Sequence, residues 1–167
     1  MIKKLTLFLI VIKSIYSFGQ NTLNDLLKIH NKNNVPYISV QELSEINSRN
    51  FLVLDAREPK EYQISHINSA VNVGYNYFNL DEVLKILPKN KNYPIVVYCS
   101  LGIRSEKIAH HLIKKGFNEV YNLYGGIFDW KNKGYPLIDS IGNKTKNIHA
   151  FSEIWGKWLQ KGNKIYD

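Results

Sequence analysis

The apolar positions of this chain come in two alternating patterns: short unbroken runs that suit strands buried on both faces, and stretches spaced three and four apart that suit helices. The sharpest junction between them lies at 95–116. Ile95, Val96, Val97 and Tyr98 follow Pro94 without a polar interruption, and from Ser105 onward Ile108, Ala109, Leu112 and Ile113 recur at helical spacing. Ser105 reads as the N-cap of that helix, Lys114 and Lys115 as its last turn and Gly116 as its stop. The same reading predicts further strands at 38–40, 51–54, 70–73 and 119–123. It predicts helices at 23–29, at 42–47, from Pro59, and at 80–87, with 31–36 as a polar breaker. Strands that alternate with helices imply an α/β class, with about five mainly parallel strands and helices on both faces of the sheet. Ligands of such sheets bind beyond the carboxyl ends of the strands, and Cys99 falls at one of those ends.

Between the strand ending at Tyr98 and the helix lies a short loop, Ser100, Leu101, Gly102, Ile103 and Arg104. Its successive backbone N–H groups converge above a helix N-terminus, which makes an anion cradle with the Cys99 thiol expected at its rim. A helix N-terminus and a neighbouring guanidinium both favour thiolate over thiol, pulling the pKa below the free value of about 8.5. The residue type alone fits a small buried hydrophobe equally well. Its place on this loop favours a nucleophile.

The segment Tyr98-Cys99-Ser100-Leu101-Gly102-Ile103-Arg104-Ser105 resembles the active-site loop of the rhodanese family: Cys, two variable residues, Gly, one variable residue, Arg, then Ser or Thr. Leu54-Asp55-Ala56-Arg57-Glu58 with His66-Ile67-Asn68-Ser69-Ala70-Val71-Asn72 is similar to the family's N-terminal signature. Gly125-Gly126-Ile127-Phe128-Asp129-Trp130 with Gly134-Tyr135-Pro136 is similar to its C-terminal one. The likeness covers about residues 35–137. It implies a sulfurtransferase working by double displacement without a cofactor: the Cys99 thiolate takes the outer sulfur of a donor such as thiosulfate, and the persulfide passes it to cyanide or a thiol. The loop from Ser100 to Ser105 would hold the anion, with Arg104 adding positive charge.

In the family the positions of Asp55 and Arg57 mainly hold the loops around the site, and the two read here as a supporting ion pair rather than an acid and a base. His66 reads as a satisfied structural histidine. His110 and His111 point to different helix sides, so no metal set is expected. Gly125 and Gly126 allow a close backbone approach beside the active-site loop, and Trp130 packs as core. The basic residue that many family members carry directly after the cysteine is missing, since Ser100 and Leu101 stand there, which weakens the case for a small dianion as donor. Phosphatases and arsenate reductases of the same fold separate Cys and Arg by five residues. Here four do, Ser100 to Ile103, which favours sulfur over phosphoryl chemistry.

The ends are read separately. Lys3 and Lys4, the apolar run Leu5 to Ile12, and Ser17 and Gly19 make residues 1–19 a secretory signal peptide, with Gln20 first after cleavage and the periplasm or the outside as destination. Eight apolar residues do not span a bilayer. Residues 20–34 form a lead-in, 35–137 the domain, and 138–167 a C-terminal extension. The chain has a single cysteine, so no disulfide forms within it. Its net charge of +8 is concentrated in the leader and in the lysine-rich residues after Trp130, which read as solvated surface with no pattern that calls for nucleic acid. Phe151, Ile154, Trp155, Trp158 and Leu159 form an apolar stripe at helical spacing up to Gly162. They predict an amphipathic helix docked on the domain, or offered to a protein partner or a membrane surface. A second reading follows: a non-catalytic or sulfur-carrying binding module that uses the fold to present this helix or to carry sulfur to a partner.

Overall fold

Two capping boxes open the described part of the chain. Thr22 and Asp25 close the N-terminus of helix α1 (Leu23–His30), and Ser39 and Glu42 do the same for α2 (Val40–Glu45), after the short strand β1 (Tyr37–Ile38). These elements belong to a computed structural model that describes residues 22–46 and 50–167. The leader read at 1–19 lies outside the described residues. Strand β2 (Leu52–Asp55) leads into α3 (Pro59–Ile64), which starts on its proline as expected. There follow β3 (Val71–Asn72), α4 (Leu80–Ile86), β4 (Ile95–Tyr98), α5 (Arg104–Lys114), β5 (Val120–Leu123) and α6 (Gly126–Asn132).

The five strands pair in parallel in the order β1-β5-β4-β2-β3, with β4 in the centre. All four residues of β4 are buried, and they alternate between two cores. Val96 and Tyr98 join Val40, Leu43, Ile127 and Phe128 on one face; Ile95, Val97 and Cys99 join Val83, Ile108, Ala109 and Leu112 on the other. Helices therefore cover both faces, α2 and α6 on one and α4 and α5 on the other. This is the α/β architecture, a parallel sheet with helices on both faces, that the alternating pattern predicts.

The chain after 137 shares this core. Strand β6 (Leu137–Ile138) pairs antiparallel with β7 (Lys144–Thr145), and His66 bridges to Ile138. Strand β8 (Asn147–His149) is followed by α7 (Glu153–Gly156) and by β9 (Asn163–Ile165), which pairs in parallel with β8. The extra C-terminal helix is present, but it is one turn rather than the whole stripe. Gly162 at φ +99° turns the chain back so that β9 can reach β8, and Leu159 is buried from a turn instead of from a helix face. Trp155 and Trp158 pack half-buried against the first core, while Ile154 stays exposed.

Candidate active site

Strand β4 carries Cys99 to the carboxyl edge of the sheet, where the chain reverses through 100–103 into α5. The reversal depends on Gly102. At φ +106° it aims its N–H at Cys99 Sγ, 3.2 Å away, and a Cβ there would stand 3.2 Å from the Leu123 carbonyl oxygen. Its carbonyl is gripped by two side-chain amides, Asn31 Nδ2 and Asn122 Nδ2, each at 2.8 Å. The Gly102 N–H is thus fixed by groups from the lead-in and from β5.

Ser105 is not the N-cap of α5. It is the second residue of that helix, and its Oγ lies 2.7 Å from Asn122 Oδ1 and 3.5 Å from Cys99 Sγ. Ile103 occupies the cap position without a side-chain acceptor, so no side chain caps the N-terminal N–H groups of α5 from there. The thiol itself is at the floor of the cradle rather than at its rim, 2% exposed. Burial pushes the Cys99 thiol up, but the Arg104 guanidinium and hydrogen bonds from Ser105 and Gly102 outweigh it, and the group titrates below an ordinary thiol.

Arg104 in turn is held by a residue that the sequence reading passed over. Glu61 of α3 takes a fork of two bonds, Nη1 to Oε2 at 2.6 Å and Nη2 to Oε1 at 2.8 Å, while Nη2 also donates to Ser100 Oγ at 3.1 Å. The Glu61 carboxylate is fully buried, and its burial, which would raise its pKa, is overcome by Arg104 and Arg57 so that it stays ionised below the usual range.

Asp55 and Arg57 form the expected ion pair, both fully buried and 2.6 Å apart. The pair braces the sheet edge beside the thiol: Tyr98 OH donates to Asp55 Oδ2 at 2.6 Å, and Arg57 Nη2 donates to the Ser65 carbonyl at 2.7 Å. His66 stacks on Tyr62 and bonds the Tyr62 carbonyl through Nδ1, a structural role as read.

Helix α6 approaches the loop from the other side. The Ile127 and Phe128 N–H groups donate to the Cys99 and Ser100 carbonyls at 2.9 and 3.2 Å. A Cβ on Gly126 would stand 2.3 Å from the Cys99 carbonyl oxygen, so the second glycine of the pair permits this contact. Trp130 is buried, with Nε1 bonded to the Pro136 carbonyl at 2.9 Å.

Above the thiol lies a pocket of about 150 Å³. Cys99, Ser100, Leu101, Ile103 and Arg104 line it from the loop, and Phe151 and Trp155 close it from the C-terminal segment. The Phe151 ring lies over the Arg104 guanidinium, 4.9 Å from ring centre to Cζ. Phe151 reaches this place with φ +67°, a left-handed conformation that costs a side-chain-bearing residue about 1–2 kcal/mol. Its N–H donates to His149 Nδ1 at 3.1 Å, so the buried His149 ring carries its proton on Nε2 and presents it to Asp167 Oδ1. Asp167 also pairs with Lys60 of α3.

Comparison with known proteins agrees with this geometry. The model of the rhodanese-like domain family matches residues 39–133, more than half of the chain. The thiosulfate sulfurtransferase GlpE of Coxiella burnetii is 36% identical over 98 residues, which cover 59% of this chain and 87% of that protein. The tRNA uridine(34) hydroxylase of Buchnera aphidicola is 34% identical over 126 residues, or 70% of this chain, but this chain spans only 39% of that protein. Among solved structures, a rhodanese-related protein from Thermoplasma volcanium aligns with a TM-score of 0.54 at 32% identity, covering 62% of this chain and 97% of that one.

Proposed function

The chain belongs to the rhodanese family, and on that premise we propose that it is a sulfurtransferase that carries a sulfane sulfur on Cys99. The observation that supports this best is a thiol drawn below its ordinary pKa, with the Gly102 N–H on Sγ and a guanidinium beside it, at the floor of a pocket open to a small donor. In the first step the Cys99 thiolate attacks the outer sulfur of the donor. The Sγ–S bond forms with the thiolate's electron pair, the donor's S–S bond breaks, and the leaving group takes that pair, as sulfite when thiosulfate is the donor. In the second step cyanide or a thiolate attacks the bound outer sulfur, and the electrons of the Sγ–S bond return to Cys99. No net oxidant or reductant is needed.

The residues divide this work. The N–H groups of the loop and of the α5 N-terminus face the persulfide anion and stabilise it in place of water. Arg104 adds charge, and Glu61 keeps it from swinging onto the thiolate or out to solvent. Asp55 and Arg57 act at one remove, by holding the sheet edge that carries Tyr98 and Cys99. The activity named for the tRNA uridine(34) hydroxylase is not carried over, because the shared stretch is a minor part of that protein.

Turnover tests the reading. The purified protein should form thiocyanate from thiosulfate and cyanide, Cys99→Ser should form none, and an activated aryl phosphate should not be hydrolysed. Cys99-dependent phosphate release faster than thiocyanate formation would overturn the assignment. A Cys99 that accepts sulfur but passes it to neither cyanide nor small thiols would favour the sulfur-carrying module instead.

A further inference from the structure

The pocket over Cys99 is poorly suited to a doubly charged donor. Arg104 is the cation among the described residues that line it, and that charge is already matched by the two-point pair with Glu61. The guanidinium also sits over the Phe151 ring, with Cζ 4.9 Å from its centre. The remaining lining is Leu101, Ile103, Phe151 and Trp155, which are apolar, and Ser100, whose Oγ accepts from Arg104 Nη2 at 3.1 Å. With Cys99 ionised, the cluster of thiolate, guanidinium and carboxylate carries one net negative charge, so a dianion enters against repulsion while an apolar body enters with gain.

Two further features indicate that the apolar wall is built rather than incidental. Phe151 is held in a left-handed conformation by the His149 contact to its N–H, and such strained positions recur where a side chain clamps a ligand. The Trp155 backbone N–H donates to Ser152 Oγ at 3.4 Å, and its ring packs in a T-shaped contact with His30 at 5.9 Å. Both aromatics come from the segment beyond the matched domain, residues 39–133.

We propose that Phe151 and Trp155 make the C-terminal segment a specificity wall, which selects as sulfur donor a singly charged organic sulfane compound with an apolar body over the thiosulfate dianion. This rests on the sulfurtransferase reading of Cys99 and narrows its substrate class. An organic thiosulfonate is the matched probe, since it replaces one charged oxygen of thiosulfate by a carbon group and keeps the same transferable sulfur. The Cys99 thiolate takes that sulfur, the S–S bond of the donor breaks, and its electron pair leaves with the organic sulfinate. Cyanide then removes the sulfur as thiocyanate.

The experiment compares kcat/KM for benzenethiosulfonate and for thiosulfate, each with cyanide, in the full chain. The wild type should prefer the thiosulfonate by about tenfold or more, the scale expected for burying most of an aromatic ring. Phe151→Gly fits the left-handed backbone and removes only the ring, so it should fold and should lower that preference severalfold, through KM for the thiosulfonate. Phe151→Leu should restore part of it. Ile103→Lys, which adds a cation to the wall, should shift the ratio toward thiosulfate. A wild type that prefers thiosulfate, or a ratio that Phe151→Gly and Ile103→Lys both leave unmoved, overturns the wall while sulfur loading on Cys99 stands. Loading by neither donor, read as no gain in intact mass, overturns the sulfurtransferase reading and the wall with it.

Discussion

At Cys99 two effects compete, and the outcome sets the chemistry. Desolvation favours the neutral thiol, whereas Arg104, Ser105 and the Gly102 N–H favour the thiolate and prevail. Removing Arg104 should therefore reverse the balance. Arg104→Ala should move the midpoint of alkylation against pH upward, and should slow sulfur loading by roughly one to three orders of magnitude. Identical profiles in the two proteins would take Arg104 out of the mechanism. Glu61 adds a pH limit on the acid side. Its carboxyl is held below the ordinary value, so the ion pair stabilises the fold fully above the unfolded pKa of about 4.3, and that support is lost as pH falls through the lower folded value. Glu61→Ala leaves Arg104 charged and largely buried without its partner, a change that typically costs roughly 3 kcal/mol. Thermal melts against pH should show a steep loss of Tm below about pH 4 in the wild type, and a lower Tm at neutral pH with a shallower acid slope in Glu61→Ala.

Among the elements, α6 fits closely against the active-site loop. A methyl at 126 meets backbone atoms of Cys99 and Ser100 within 2.8 Å, and the backbone there has φ +54°. Gly126→Ala should lose about 3 kcal/mol of stability and displace the loop, so that sulfur loading falls even where the protein remains folded. Melting curves and loading rates measured together check this, and an unchanged pair would mean that the loop is not held from α6. The strands, their order of appearance and this glycine contact are legible in the sequence because each is a local signal: an unbroken apolar run, a helical spacing, a paired glycine. Glu61 was not legible. It sits at the third position of a helix, where an acid is expected as a capping partner, and its role depends on Arg104, 43 residues away. Asn122 carried a clue, as an amide within the apolar run of β5 that has to find partners when buried, and it finds Gly102 and Ser105. The tail misleads for the opposite reason. Its aromatic spacing matches a helix, yet burial of Leu159 and pairing of β9 with β8 outweigh helix formation beyond one turn.

Across the whole molecule, one small site draws on both ends of the described chain. Asn31 of the lead-in holds the Gly102 carbonyl, α3 supplies Glu61, β5 supplies Asn122, and the C-terminal segment supplies Phe151 and Trp155. These groups converge because parallel strands put their carboxyl ends on one edge, and the central strand of that edge ends at the thiol. On the proposed function, this convergence makes Cys99 a carrier of sulfur. Intact-protein mass spectrometry reads that directly, with the chain incubated with thiosulfate and, separately, with benzenethiosulfonate. The wild type should gain one sulfur atom, about 32 mass units, removed by a thiol reductant and absent in Cys99→Ser. A wild-type protein whose Cys99 alkylates freely but gains no sulfur from either donor would contradict it.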